Sequence, residues 1–234
     1  MKFVRGGLQM TTIRDCIAPD RNPKVPSVKL PEGSIDTHVH IFESQYPLFE
    51  GRGYNPPDST LDDLKHLHSQ LGVSRVVYTQ PSPYGVDNSA ILKGMKVMND
   101  ETPGRARGVC AIKMDVSDDF LEDLDKQGIK GVRLNMDNIG GMPIGLDEIP
   151  TLEARIKDLG WHVEYLFPGK DIVELAPIFK KSSVPISIAH FAYQPATNGI
   201  NSEGFKTLLD LVRDGNTWIK ISGANRVSAT DLPP

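Results

Sequence analysis

The sequence predicts an α/β fold: a parallel (β/α)8-type barrel in which seven strands are evident and the eighth strand and its helix are missing. Three observations predict it. From about residue 34 onward, short apolar stretches alternate with amphipathic ones, and such alternation implies parallel strands joined by right-handed crossovers. No Gly-x-Gly-x-x-Gly or phosphate-loop sequence follows the first strand, which disfavours a doubly wound sheet and a nucleotide cofactor. The 234 residues suit one domain with a substantial core.

Residues 1–33 contain Pro19, Pro23, Pro26 and Pro31 without a steady period and read as an extended arm. The barrel domain is expected over residues 34–234. Its strands are expected at Ile35–Phe42, Arg75–Thr79, Ala106–Met114, Gly131–Met136, Trp161–Phe167, Pro185–His190 and Thr217–Ser222, each a short apolar or β-branched run. Helices between them follow from apolar spacings of three and four. They are marked by Leu61, Leu64, Leu67 and Leu71; Ala90 to Met98; Phe120, Leu121 and Leu124; Ile149, Leu152, Ile156 and Leu159; Ile172 to Phe179; and Leu208, Leu209 and Val212. A closed barrel takes eight strands and typically about 250 residues. Here the arm takes the first 33 positions, and Asp231-Leu232-Pro233-Pro234 follows soon after the seventh strand. Either the arm closes the gap or the chain is a truncated version of a longer protein.

Composition narrows the function. Hydrophobic residues make up 39% and charged residues 24%, ordinary globular usage. The net charge is −4 and no Lys/Arg run stands out, which argues against nucleic acid and anionic membrane as partners. Cys16 and Cys110 form no disulfide framework, pointing to a reducing compartment. With neither a secretory signal nor an apolar run of about 18 residues, a cytoplasmic protein is expected. Open sheet edges would favour oligomers.

Candidate chemistry is found at the carboxyl ends of the strands, where such barrels build their sites. In Asp36-Thr-His38-Val-His40, strand alternation turns Asp36, His38 and His40 one way and Ile35, Thr37, Val39 and Ile41 the other. Ser82 follows the second strand and offers a hydroxyl. Arg133 sits late in the fourth, where an always-charged fork suits a carboxylate or polarised carbonyl. Tyr165 lies late in the fifth, although a one-residue register shift would present Glu164 instead. His190 closes the sixth, and Arg226 follows the seventh. His66 and His68 fall on an amphipathic helix, read as exposed, and His162 begins its strand, away from the site. Three histidines permit two chemistries. They can hold a divalent metal that activates water, or orient water without metal while arginines stabilise an oxyanion. Either normally uses an acidic group, yet Asp36 lies too early in its strand and no Asp ends a later one.

These residues resemble the amidohydrolase superfamily, in the amidohydrolase-related branch that contains pyrone-dicarboxylate and sugar-acid lactonases. The resemblance rests on Asp36-Thr-His38-Val-His40-Ile-Phe and on Tyr78-Thr-Gln80-Pro81-Ser82-Pro-Tyr-Gly85-Val-Asp87-Asn88. It continues through Gly131-Val-Arg133-Leu-Asn135, Trp161-His162-Val163, Ile188-Ala-His190 and Lys220-Ile-Ser-Gly223-Ala-Asn-Arg226. It implies a (β/α)8 hydrolase that opens a lactone of a small carboxylic or sugar acid by water attack. It also implies a catalytic centre lined by His38, His40 and His190, with substrate bound by Tyr54, Ser82, Arg133, Tyr165 and Arg226. The cofactor would be none, or one zinc held by the three histidines. In the family an eighth-strand aspartate serves as the water's base, and this chain ends before that strand. A catalytically impaired, truncated product is therefore one alternative, and metal-dependent decarboxylation is the other. The dicarboxylate lactonase pattern also carries arginines after the fourth and sixth strands. Here those regions read Met136-Asp137-Asn138-Ile139 and Phe191-Ala192-Tyr193, which favours a substrate with one carboxylate or a hydroxylated sugar acid.

Overall fold

A computed structural model describes residues 13–136 and 144–228. In chain order the elements are β1 (Arg14–Asp15), β2 (Ile35–Val39), β3 (Tyr54–Asn55), α1 (Leu61–Leu71), β4 (Arg75–Thr79), α2 (Ser89–Glu101), β5 (Ala106–Cys110) and α3 (Asp118–Lys126). They continue as β6 (Ile129–Asn135), α4 (Ile149–Ile156), β7 (His162–Leu166), α5 (Ile172–Phe179), β8 (Ile186–Ile188), α6 (Glu203–Arg213), β9 (Thr217–Ile219) and α7 (Ala224–Val227). Seven strands form one sheet in the order β2-β4-β5-β6-β7-β8-β9, every neighbouring pair parallel. This is the sheet of an unclosed (β/α) barrel with helices on its outer face. All seven strands lie where the apolar runs place them, most of them shorter than those runs.

Local chemistry starts the helices. Thr60 and Asp63 form a reciprocal capping box at α1, which ends on Gly72 in the left-handed conformation. Ser117 caps α3 and Ser202 caps α6, each accepting from a backbone N–H of the first turn. The apolar stripes then pack on the sheet. Tyr78, Met95 and Met98 are fully buried, as are Trp161, Ile156 and Leu211, and burying each such side chain contributes roughly 1.5–3 kcal/mol.

The sheet curls without closing, and its two edges are β2 and β9. Lys220, just beyond β9, reaches across to donate from Nζ to the Thr37 carbonyl at 3.0 Å. At the outer edges Ile35, Trp218 and Ile221 are exposed, Trp218 by 71%. The arm does not fill this gap within the described residues, because Arg14–Asp15 pairs in parallel with Tyr54–Asn55. There Asn55 Nδ2 donates to Asp15 at 3.0 Å. Residues 1–12 of the expected arm and 229–234 of the expected barrel domain lie outside the described residues.

Strand β2 departs from simple alternation. Its register against β4 shifts between Asp36 and Val39, a bulge that re-aims side chains. Asp36 therefore does not share a face with His38 and His40. Its carboxylate lies 3.2 Å from His68 Nε2 on α1, and it also accepts the His38 backbone N–H. His68, expected on the solvent face, is 2% exposed and ties the helix to the strand.

Candidate active site

His38 lies one residue before the end of β2, and its ring centroid lies 4.9 Å from that of His40, edge-on, and 5.0 Å from that of His190. Each ring is fixed through Nδ1: His38 by Lys220 Nζ at 3.0 Å, His40 by the Thr79 carbonyl at 2.8 Å, and His190 by Ser222 Oγ at 2.9 Å. Two strand ends, those of β2 and β8, thus bring three imidazoles to one place, as their positions in the sequence imply.

Glu164 stands among them, fully buried. The Lys220 ammonium binds its Oε2, Arg133 Nε lies 3.4 Å from its Oε1, and His38 Nδ1 lies 3.7 Å from the same oxygen. Arg133, 3% exposed, also donates to the Gln80 carbonyl at 2.9 Å. The β6–β7 register sets Arg133 opposite Glu164, so these two face inward together. Tyr165 is corrected accordingly. Its ring packs on Phe179 of α5, centroids 4.6 Å apart, in the layer between sheet and helices, because neighbouring strand residues point to opposite faces. Glu164 is the alternative that a one-residue register shift presents, and the structure selects it; Lys220 has no site role among the sequence-based expectations. Their signal in the sequence is a charge interrupting an apolar strand or closing one, as in His162-Val-Glu164-Tyr-Leu and Trp218-Ile-Lys220.

After β8 the chain enters a left-handed turn in which His190, Phe191, Ala192 and Tyr193 all have φ near +50°. Each such L-residue costs roughly 1–2 kcal/mol, and strain of this kind persists only where surrounding contacts enforce it. Gln194 Nε2 pins the turn by donating to the Gly169 and Ala192 carbonyls at 2.7 and 3.2 Å. The turn stacks Tyr193 on His190 at 5.8 Å and 15°, with the Arg226 guanidinium 5.8 Å from the Tyr193 ring centre. A Cβ on Gly223 would meet His190 Nδ1 at 3.0 Å. Tyr54 lies near buried Ser82 and within electrostatic reach of Arg133 and Arg226. Of the eight expected site residues, only Tyr165 stands apart.

Burial, reinforced by neighbouring cations, keeps the imidazoles neutral. It lowers His38 well below its ordinary 6.5, with His40, Lys220 and Arg133 adding to the effect. His40 falls to about 3, through burial and then Arg133. His190 falls to about 4, through burial and then Arg226 and Arg133. Burial would raise the Glu164 carboxyl, but Lys220 and Arg133 hold it below its usual value. These shifts set a pH dependence of stability. Below pH 6.5 the unfolded histidines take up protons that the folded ones refuse, so stability present above 6.5 drains as pH falls toward about 4. Calorimetric melting should show Tm level from about pH 8 to 7 and falling steadily below about 6.5. A Tm that stays level down to about pH 4.5 would contradict buried neutral histidines.

The donor set does not suit a metal ion. Lys220 occupies His38 Nδ1 with a cation, and Arg133 adds a second positive charge beside Glu164. Among the described residues, no group of three or more His, Cys, Asp or Glu is arranged to hold a metal.

Residues 35–234 match the amidohydrolase family. The chain belongs to that family. It is 34% identical over 212 residues to a 2-pyrone-4,6-dicarboxylate hydrolase of Comamonas testosteroni, covering 89% of this chain and 68% of that one. It is 32% identical to a 4-sulfomuconolactone hydrolase of Hydrogenophaga intermedia, covering 91% and 70%. A solved structure from Agrobacterium tumefaciens superposes with a TM-score of 0.79 at 26% identity, covering 89% of this chain and 75% of that one. Another, from Acinetobacter baumannii with citric acid bound, gives 0.74 at 29% identity, covering 85% and 73%. The family match begins at the first barrel strand and includes all three histidines, Glu164 and Lys220. Among the described residues no helix is long and apolar enough to cross a membrane.

Proposed function

We propose that this amidohydrolase opens the ring of a small anionic lactone by water attack. One observation carries the reading: three neutral imidazoles about 5 Å apart meet at strand ends beside Arg133, with Arg226 stacked at the rim. Neutral imidazoles orient water and hydrogen-bond a carbonyl oxygen, and guanidinium groups attract the substrate's carboxylate. Tyr54 and Ser82 would add hydroxyl contacts. Relatives named for pyrone-dicarboxylate and sulfomuconolactone hydrolysis support the lactone class. The citric acid in the Acinetobacter baumannii structure supports a site that accepts carboxylates.

The substrate is read as a lactone with one carboxylate or as a sugar-acid lactone. The turn Phe191-Ala192-Tyr193 carries no arginine; residues 137–139 lie outside the described residues. No aspartate directly follows a strand among the described residues. The reading routes no step through a metal. The barrel domain over residues 34–234, a cytoplasmic location, no nucleic-acid or membrane partner, and self-association through the open edges belong to the same proposal.

Proton release is to be followed on a panel of sugar-acid, muconate-derived and pyrone-dicarboxylate lactones, with elemental analysis of the same preparation. Turnover of at least one singly carboxylated or sugar-acid lactone, abolished by His40→Ala, is the expected outcome. A folded protein inert on the whole panel sinks the reading. Stoichiometric zinc required for turnover would reject the metal-free form, whereas stoichiometric zinc in a protein inert on every lactone would make the decarboxylase alternative the next assay.

A further inference from the structure

The two histidines at the end of β2 have opposite hydrogen-bond partners. His40 Nδ1 faces the Thr79 carbonyl, which can only accept, so that nitrogen carries the proton and Nε2 is bare. His38 Nδ1 faces the Lys220 ammonium, which can only donate, so that nitrogen is the acceptor and Nε2 carries the proton. All three ammonium donors of Lys220 are engaged, by the Thr37 carbonyl, His38 Nδ1 and Glu164 Oε2. Glu164 keeps this cation in place inside the sheet, and Arg133 completes the charge balance on the other oxygen. His38 Nε2 is itself buried and has no partner in the protein, so the N–H that Lys220 forces there is unspent.

We propose that Lys220, anchored by Glu164, is a positioning residue that locks His38 as the Nε2–H tautomer, a hydrogen-bond donor beside the acceptor His40. The pair is then split by function. His38 offers its N–H to an electron-rich substrate oxygen, and His40 offers a lone pair to a water or hydroxyl proton. A donor already aimed at developing negative charge needs no reorganisation when the reaction begins. The catalytic meaning rests on the lactone reading above. The tautomer assignment does not, because it is read without any substrate.

The test uses the full chain labelled with ¹⁵N. Long-range proton–nitrogen spectra distinguish a protonated ring nitrogen from a bare one, and His38→Gln and His40→Gln assign the signals. The expected result is Nε2–H on His38 and Nδ1–H on His40. Nδ1–H on His38 in the wild-type protein overturns the proposal, whatever the variants do. Lys220→Met is expected to release His38 toward the Nδ1–H form, and Lys220→Arg, again donor-only, to keep it. An unchanged His38 in a folded Lys220→Met protein also overturns it. If the lactone panel yields a substrate, Lys220→Met should lower kcat about 10²-fold at an almost unchanged KM. A raised KM with unaltered kcat would reject the donor role while leaving lactone hydrolysis itself standing.

Discussion

Replacing Glu164 with glutamine is expected to remove roughly 3–5 kcal/mol of folding stability, the usual cost of breaking a buried charge pair from one side. Glutamine fills the same volume, so packing is nearly conserved and the change is electrostatic. The carboxylate is fully buried and binds Lys220, with Arg133 3.4 Å from its other oxygen. Its neutralisation leaves an ammonium and a guanidinium inside the sheet with only backbone carbonyls and an imidazole to hold them. Urea unfolding followed by circular dichroism gives the number directly. A loss under about 1 kcal/mol would mean that water already solvates these cations and that Glu164 is not their counter-charge. In a double-mutant cycle, Glu164→Gln with Lys220→Met should cost less than the sum of the two single changes, because the double variant buries one cation fewer.

Gly169→Ala is expected to destabilise the protein by about 1–3 kcal/mol or more and to displace His190. The added methyl would overlap the Tyr193 carbonyl oxygen and stand 2.9 Å from that of Ala192. Those atoms are backbone in a turn already held in left-handed geometry, and the Gly169 carbonyl accepts the Gln194 bond that pins it. The turn cannot retreat without moving the Tyr193–His190 stack. Thermal melting and the His190 ring signals are the measurements. Gly53→Ala serves as the control, since nothing lies within 4 Å of its added methyl, and its effect should stay within about 0.5 kcal/mol. Equal effects from the two substitutions would refute a close approach at Gly169.

Seven strands could be located from apolar runs because a parallel strand covered by helices on one face must be apolar over several consecutive positions. The helices were legible from their three-and-four spacing and from Thr60, Ser117 and Ser202 at their starts. His38, His40, His190 and Arg133 could be picked because a barrel gathers its strand ends. Alternation misled at two places. At Asp36 a bulge changes the register, and a bulge is set by strand pairing rather than by local sequence. At Tyr165 the choice between two adjacent residues depends on which one meets Arg133 across the β6–β7 ladder.

The sequence by itself determined the family, the parallel α/β architecture and the histidine strand ends, since all three are carried by short-range pattern. Tertiary structure alone decided that Glu164 rather than Tyr165 faces inward. It also decided that Lys220 spans 183 sequence positions to reach Thr37, and that His38 and His40 hold their protons on opposite nitrogens. The physical reason is that a hydrogen bond fixes a proton by the partner it meets, and these partners meet only after the sheet has curled.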